Sequence, residues 1–99
     1  MRSSNGLISK KLQLAISGMT EQEELLVILM EECSEVIQEA SKMIRFMNKN
    51  PYRIEKEIGD LLCMIELLSE YEMIDPSILE DHIQSKRDKL KKWSSLQID

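Results

Sequence analysis

Residues 20–47 read TEQEELLVILMEECSEVIQEASKMIRFM, and the fold follows from how that stretch is punctuated. Thr20 with Glu23 three residues later has the pattern of a capping box, which opens a helix. No Gly or Pro interrupts the run until Asn48-Lys49-Asn50-Pro51, so one long helix is predicted to about Met47. Asn50 is placed to cap and Pro51 to take the first position of a further helix, over about residues 51–72. Asp75-Pro76 repeats the device and opens a helix reaching about Trp93. Upstream, an amphipathic stretch from Leu7 to Ile16 stops at Ser17-Gly18, giving a first short helix over about 7–17. The expectation is one all-α domain over residues 1–99, a four-helix-type bundle joined by short connections.

Composition agrees with helices and narrows the function. Three Gly and two Pro leave little turn-forming material for a many-stranded β fold. With 42% apolar and 31% charged residues, the chain has the make-up of a folded domain. Eighteen acids against 13 bases and a net charge of −5 argue against nucleic acid or an anionic membrane as partner. No stretch reaches the apolar length of a membrane span and none reads as a signal peptide, so a cytoplasmic location is expected. Cys33 and Cys63 are 30 residues apart without metal-ligand spacing, and are expected to be reduced, small buried apolar residues.

The acids are informative because of where they fall around their helices. Advancing about 100° per residue from Leu25, the apolar face holds Leu29, Val36, Met43 and Met47. Glu32 lies about 20° from Leu25, and Glu35 and Glu39 fall beside Ile28 and Phe46, on the side expected to face the core. Ser34, Gln38, Ser41 and Arg45 make the polar face. On the helix after Pro51, Ile54, Ile58, Leu61, Leu62, Ile65 and Leu68 fill an apolar arc, with Glu55, Glu66, Ser69 and Glu70 opposite. Glu57 and Asp60 fall instead among Leu61, Met64, Leu67 and Tyr71. An apolar arc wider than about 180° needs more neighbours than three companion helices supply, so self-association is expected.

Glu32/Glu35 and Glu57/Asp60 are both i, i+3 pairs, each on one stripe of its helix. Antiparallel packing of the two helices would bring the four carboxylates into one cleft. Four such charges repel unless a cation joins them. Carboxylate oxygens without His or Cys suit Mg²⁺, or Mn²⁺, rather than Zn²⁺. A hard cation held this way keeps positions open for water and for substrate phosphates.

Glu31-Glu32-Cys33-Ser34-Glu35 reads EExxE and Glu57-Ile58-Gly59-Asp60 reads ExxD, with 21 residues from Val36 to Lys56 between them. This two-part pattern resembles the MazG-like all-α nucleoside triphosphate pyrophosphohydrolases, over roughly Glu24 to Leu68. The resemblance implies a helical homodimer or homotetramer and Mg²⁺-dependent cleavage of an NTP or dNTP between the α and β phosphates. The products would be a nucleoside monophosphate and pyrophosphate. It implies Glu32, Glu35, Glu57 and Asp60 as metal ligands. Glu31 is the first Glu of the motif; with Glu35 it is a candidate for catalysis, and its role is to hold a second metal, to position the attacking water or to support the metal ligands. Glu39 either borders the site or pairs with Lys42 or Arg45.

An acid-lined cleft also needs cations for a triphosphate. On the last helix Ile78, Leu79, Ile83, Leu90 and Trp93 form an apolar face, and His82, Lys86 and Lys89 rotate onto the same side. Lys86 is the first candidate for a phosphate contact, with Lys89 and Lys42 behind it; snorkelling of the lysine stems over apolar surface is the plainer alternative. His82 has no ligand-spaced partner and is read as structural. Phe46, Tyr52, Tyr71 and Trp93 are candidates both for base stacking and for core. Two rivals stand beside this reading. One is a phosphoribosyl-ATP pyrophosphohydrolase, whose corresponding helix Glu57 to Leu68 also resembles. The other is a non-catalytic helical module that dimerises through the helix after Pro51.

Overall fold

The computed structural model describes residues 18–99, which contain three α-helices: α1 (Glu21–Arg45), α2 (Tyr52–Glu70) and α3 (Pro76–Trp93). The expected helix over about 7–17 lies outside the described residues. Among those described there is no strand, and no helix is long and apolar enough to cross a membrane.

Each helix begins where its capping residues stand. Thr20 Oγ1 accepts from Glu23 N–H at 3.1 Å, and Glu23 Oε1 accepts from Thr20 N–H at 3.1 Å, closing the capping box of α1. Asp75 Oδ1 accepts from Ser77 N–H at 2.9 Å and from Ser77 Oγ at 2.8 Å, with Pro76 at the first position of α3. Before α2, Asn50 Oδ1 accepts from Tyr52 N–H at 3.0 Å. Asn50 thus meets the first helical N–H, but from one position upstream: Pro51 is itself the N-cap, without a side-chain cap bond, and the helix starts at Tyr52 rather than at Pro51.

The helix ends are less ordinary. In α1, Asn48 N–H donates to Met43 C=O at 3.1 Å and Met47 N–H to Ile44 C=O at 3.4 Å. In α2, Met73 N–H donates to Leu68 C=O and Glu72 N–H to Ser69 C=O, both at 2.9 Å. Both are Schellman endings, which place one residue in the left-handed region. Glycine is usual there; here the residues are Met47 (φ 51°) and Glu72 (φ 58°). Helix α1 thus ends at Arg45, short of the expected Met47, because the chain has already turned out of the helix. Behind α2, Met73 packs onto the core formed by Leu25, Met64 and Leu68, the apolar contact that accompanies this ending.

Helices α1 and α2 pack against each other, whereas α3 makes only sparse contact with either. Their pairing is antiparallel. The Tyr71 hydroxyl at the end of α2 donates to the Glu21 carboxylate in the first turn of α1. At the opposite end Glu39 of α1 and Tyr52 of α2 line one cleft. Of the described apolar residues, Leu25, Met64 and Leu68 are buried, with Ile28, Leu29, Leu67 and Ile74 partly buried around them.

This small core leaves broad apolar surface. Leu26, Met30, Ile37 and Ile44 form a second stripe on α1, about 100–140° from the Leu25 face, and all four are exposed. On α2, Ile58 and Leu62 are also exposed, because the face meeting α1 is centred on Met64 and Leu68 rather than near Ile54. Cys63 lies outside that face as well and is an exposed free thiol, not the expected buried one; Cys33 is free and half-buried. The face of α3 is open too, with Trp93 77% exposed. A closed four-helix bundle is therefore not what the described residues form. The described residues have a radius of gyration of 16.5 Å, against about 12 Å for a compact chain of their number.

Candidate active site

The seam between α1 and α2 changes character along its length. One end is the Leu25–Met64–Leu68 core. One to two turns towards the other end, the same faces present acids instead, because Glu57 and Asp60 continue the stripe of Met64 and Leu68 at i, i+3 and i+4 steps. On α1, Glu32 and Glu35 follow Leu25, Ile28 and Leu29 in the same way. Glu32, Glu35, Glu57 and Asp60 each offer one carboxylate oxygen, and these atoms all lie within 4.8 Å of one another. The two i, i+3 pairs read from the sequence thus meet across the seam.

Burial makes the grouping costly. Glu32 is 5% exposed and the Glu57 side chain 14%, so water screens them poorly. Two like charges at about 4 Å repel by roughly 4 kcal/mol at an effective dielectric constant of 20. A hydrophobic seam would not collect four such groups without a cation for them to face.

Among the described residues, Lys56 brings a cation to the cluster. Lys56 Nζ donates to Asp60 Oδ2 at 2.9 Å and to Glu57 Oε1 at 3.0 Å. These two hydrogen bonds, Asp60's first, hold the lysine well above its ordinary pKa and keep it charged. Sequence reasoning missed Lys56. Its only signals were a position four residues before Asp60 and next to Glu57, an arrangement common on any helix surface.

The donor set still fits a divalent metal. Glu57 Oε2 is buried and has no hydrogen-bond partner among the described residues, so Lys56 satisfies only half of that carboxylate. Four hard oxygen donors from two helices match the preference of Mg²⁺ or Mn²⁺ and offer nothing soft to Zn²⁺.

The remaining candidates are placed as follows. Glu31 is half-buried on α1 beside Glu32. Glu39 pairs with Lys42, Nζ to Oε1 at 3.5 Å, so Lys42 is engaged by its own helix. Arg45 Nε donates instead to Ser41 Oγ at 3.2 Å. Glu39 also lines a cleft with Tyr52, Arg53, Lys56 and Glu57. Arg53 and Lys56, one turn apart, thus bring positive charge to the edge of the acid cluster. Lys86 and Lys89 are exposed on α3, and neither forms an ion pair with the cluster among the described residues; His82 is exposed as well. Among the aromatic residues, Tyr71 is engaged by Glu21, Phe46 lies under Arg45, and Lys92 lies over Trp93.

The MazG nucleotide pyrophosphohydrolase domain matches residues 20–94, from the cap of α1 to the end of α3. The chain belongs to this family. No curated protein and no solved structure matches it. As a MazG domain it is expected to work on nucleotides with a divalent metal, and the acid cluster at the α1–α2 seam is the group of described residues able to hold one.

Proposed function

We propose that this MazG domain is a Mg²⁺- or Mn²⁺-dependent nucleotide pyrophosphohydrolase. It takes an NTP or dNTP and water to a nucleoside monophosphate and pyrophosphate. The observation that carries this reading is the meeting of Glu32, Glu35, Glu57 and Asp60 within 4.8 Å across two helices. These four hold the cation, which when bound neutralises phosphate charge and lowers the pKa of coordinated water.

The chain's own groups do the rest. The carboxylates of Glu31 and Glu35 orient the attacking water and accept its proton as the α–β anhydride opens. The low exposure of Glu32 and Glu57 keeps the seam dry enough for charge to count. Positive charge for the polyphosphate comes from Lys86 and Lys89, with Lys42 behind them. Since α3 stands away from the acid cluster of its own chain, these lysines serve best in an assembly, where one protomer's α3 lies over its partner's seam. The exposed stripe of Leu26, Met30, Ile37 and Ile44 and the open face of α3 support a homodimer or homotetramer of this kind. The acidic balance speaks against nucleic acid or an anionic membrane as partner, and the location proposed is the cytoplasm.

The test is pyrophosphate release from a panel of NTPs and dNTPs, with and without Mg²⁺. Metal-dependent release of pyrophosphate with the matching monophosphate is the expected result. No turnover across the panel, together with no Mg²⁺-induced rise in melting temperature, would leave a non-catalytic helical module.

A further inference from the structure

Lys56 holds two of the four carboxylates that a divalent ion would need. Its ammonium sits 2.9 Å from Asp60 Oδ2 and 3.0 Å from Glu57 Oε1, within the α2 half of the cluster. The side chain is 29% exposed, so it is neither locked in the core nor free in water. An ammonium donating to these oxygens and a divalent ion coordinated by them repel each other, and both compete for the same lone pairs. The lysine has another place to go. It already lines the cleft shared with Glu39, and its four-carbon stem is flexible.

We propose that Lys56 is a resident counter-cation of the α2 half of the acid cluster, that it competes with the divalent ion for Glu57 and Asp60, and that it thereby tunes the affinity of metal loading. The proposal rests on the reading of the cluster as a metal site. With Lys56 in place, Glu57 and Asp60 are partnered before metal arrives, which relieves repulsion in the metal-free protein. Loading then exchanges one cation for another. Lys56 acts through the carboxylates as a positioning residue.

Titration calorimetry of the full chain with Mn²⁺ alone, at constant ionic strength, tests this. Lys56→Met removes the competitor and is expected to tighten Mn²⁺ binding on the order of tenfold. Lys56→Arg keeps the charge and the contacts and should bind like the wild type. Lys91→Met, on the solvent side of α3, makes the same change in net charge away from the cluster and should leave the affinity unaltered. Metal-free Lys56→Met should also melt below the wild type and gain more on adding Mn²⁺. Lys56→Gln, polar and neutral, is titrated alongside in case methionine is not tolerated. Equal or weaker Mn²⁺ binding by the neutral variants, with the wild type binding normally, overturns the proposal alone. So does tightening of the same size in Lys91→Met. Absence of Mn²⁺ binding in every variant overturns the metal site itself, and this inference with it.

Discussion

The Tyr71 hydroxyl donates a hydrogen bond to the Glu21 carboxylate, joining the C-cap of α2 to the first turn of α1. That contact agrees with the antiparallel pairing of the two helices, which the Leu25–Met64–Leu68 core holds together. The same pairing brings Glu32 and Glu35 of α1 to Glu57 and Asp60. The bond favours the protonated phenol and raises its pKa above the ordinary value of 10.0, through Glu21 first as acceptor and then as a charge. A group whose folded pKa is raised contributes stability that is fully present below the unfolded pKa and lost as pH rises through the folded one. Melting temperature should therefore fall above about pH 10, and Tyr71→Phe should melt lower at neutral pH while losing part of that alkaline dependence. A Tyr71→Phe profile parallel to the wild type from pH 8 to 11 would contradict this role.

Asp75 predicts the opposite limb. The Ser77 hydroxyl and backbone N–H hold its carboxyl below the ordinary range. The stability this contributes is present above the unfolded pKa near 3.8 and is lost as pH falls through the lower folded value. Asp75→Ala should reduce helicity at neutral pH and flatten the acid side of the stability curve. Circular dichroism at pH 2–6 distinguishes it from the wild type.

The two Schellman endings give a stabilising prediction. A left-handed residue with a Cβ costs roughly 1 kcal/mol relative to glycine. Met47→Gly and Glu72→Gly should each recover about 0.5–1 kcal/mol in urea unfolding, since Met47 is 82% exposed and gives up little packing. A decrease in stability for Glu72→Gly would mean that its side chain does more than occupy a turn.

Loss of packing at the other end of the seam should be severe. Leu68 is 5% exposed and belongs to the small core with Leu25 and Met64. Leu68→Ala should cost about 2–5 kcal/mol. The same substitution at exposed Leu62 should cost far less, and a comparison of urea midpoints checks the contrast.

At the site, Glu35→Gln should reduce turnover at least about a hundredfold while leaving helix content unchanged. Undiminished pyrophosphate release by this variant would remove Glu35 from the machinery without touching the activity.

Much of this arrangement was legible in the sequence, for reasons that differ from element to element. Thr20 and Asp75 act locally, through neighbours within three residues, so their caps could be read without knowing the fold. The acid cluster was legible because Glu32, Glu35, Glu57 and Asp60 stand on apolar faces, where a merely solvating charge would not be. The rotation of α2 was not. Its apolar arc exceeds a half-turn, and such an arc permits several orientations; the one adopted buries Met64 and exposes Ile58, Leu62 and Cys63. The end of α1 was misplaced because Met47 in a left-handed conformation leaves no glycine as a signal. Lys56 escaped notice because its importance lies in the company its carboxylate neighbours keep across the seam, not in its spacing.

The exposed stripe of Leu26, Met30, Ile37 and Ile44 has a thermodynamic corollary. If a second copy of the chain covers that stripe, as proposed above, each association event adds to the folding free energy by mass action. The melting temperature of such a protein rises with its concentration, so dilution becomes a mild denaturant. Abundance in the cell would then act as a threshold, below which the enzyme is lost as a fold before it is lost as a catalyst.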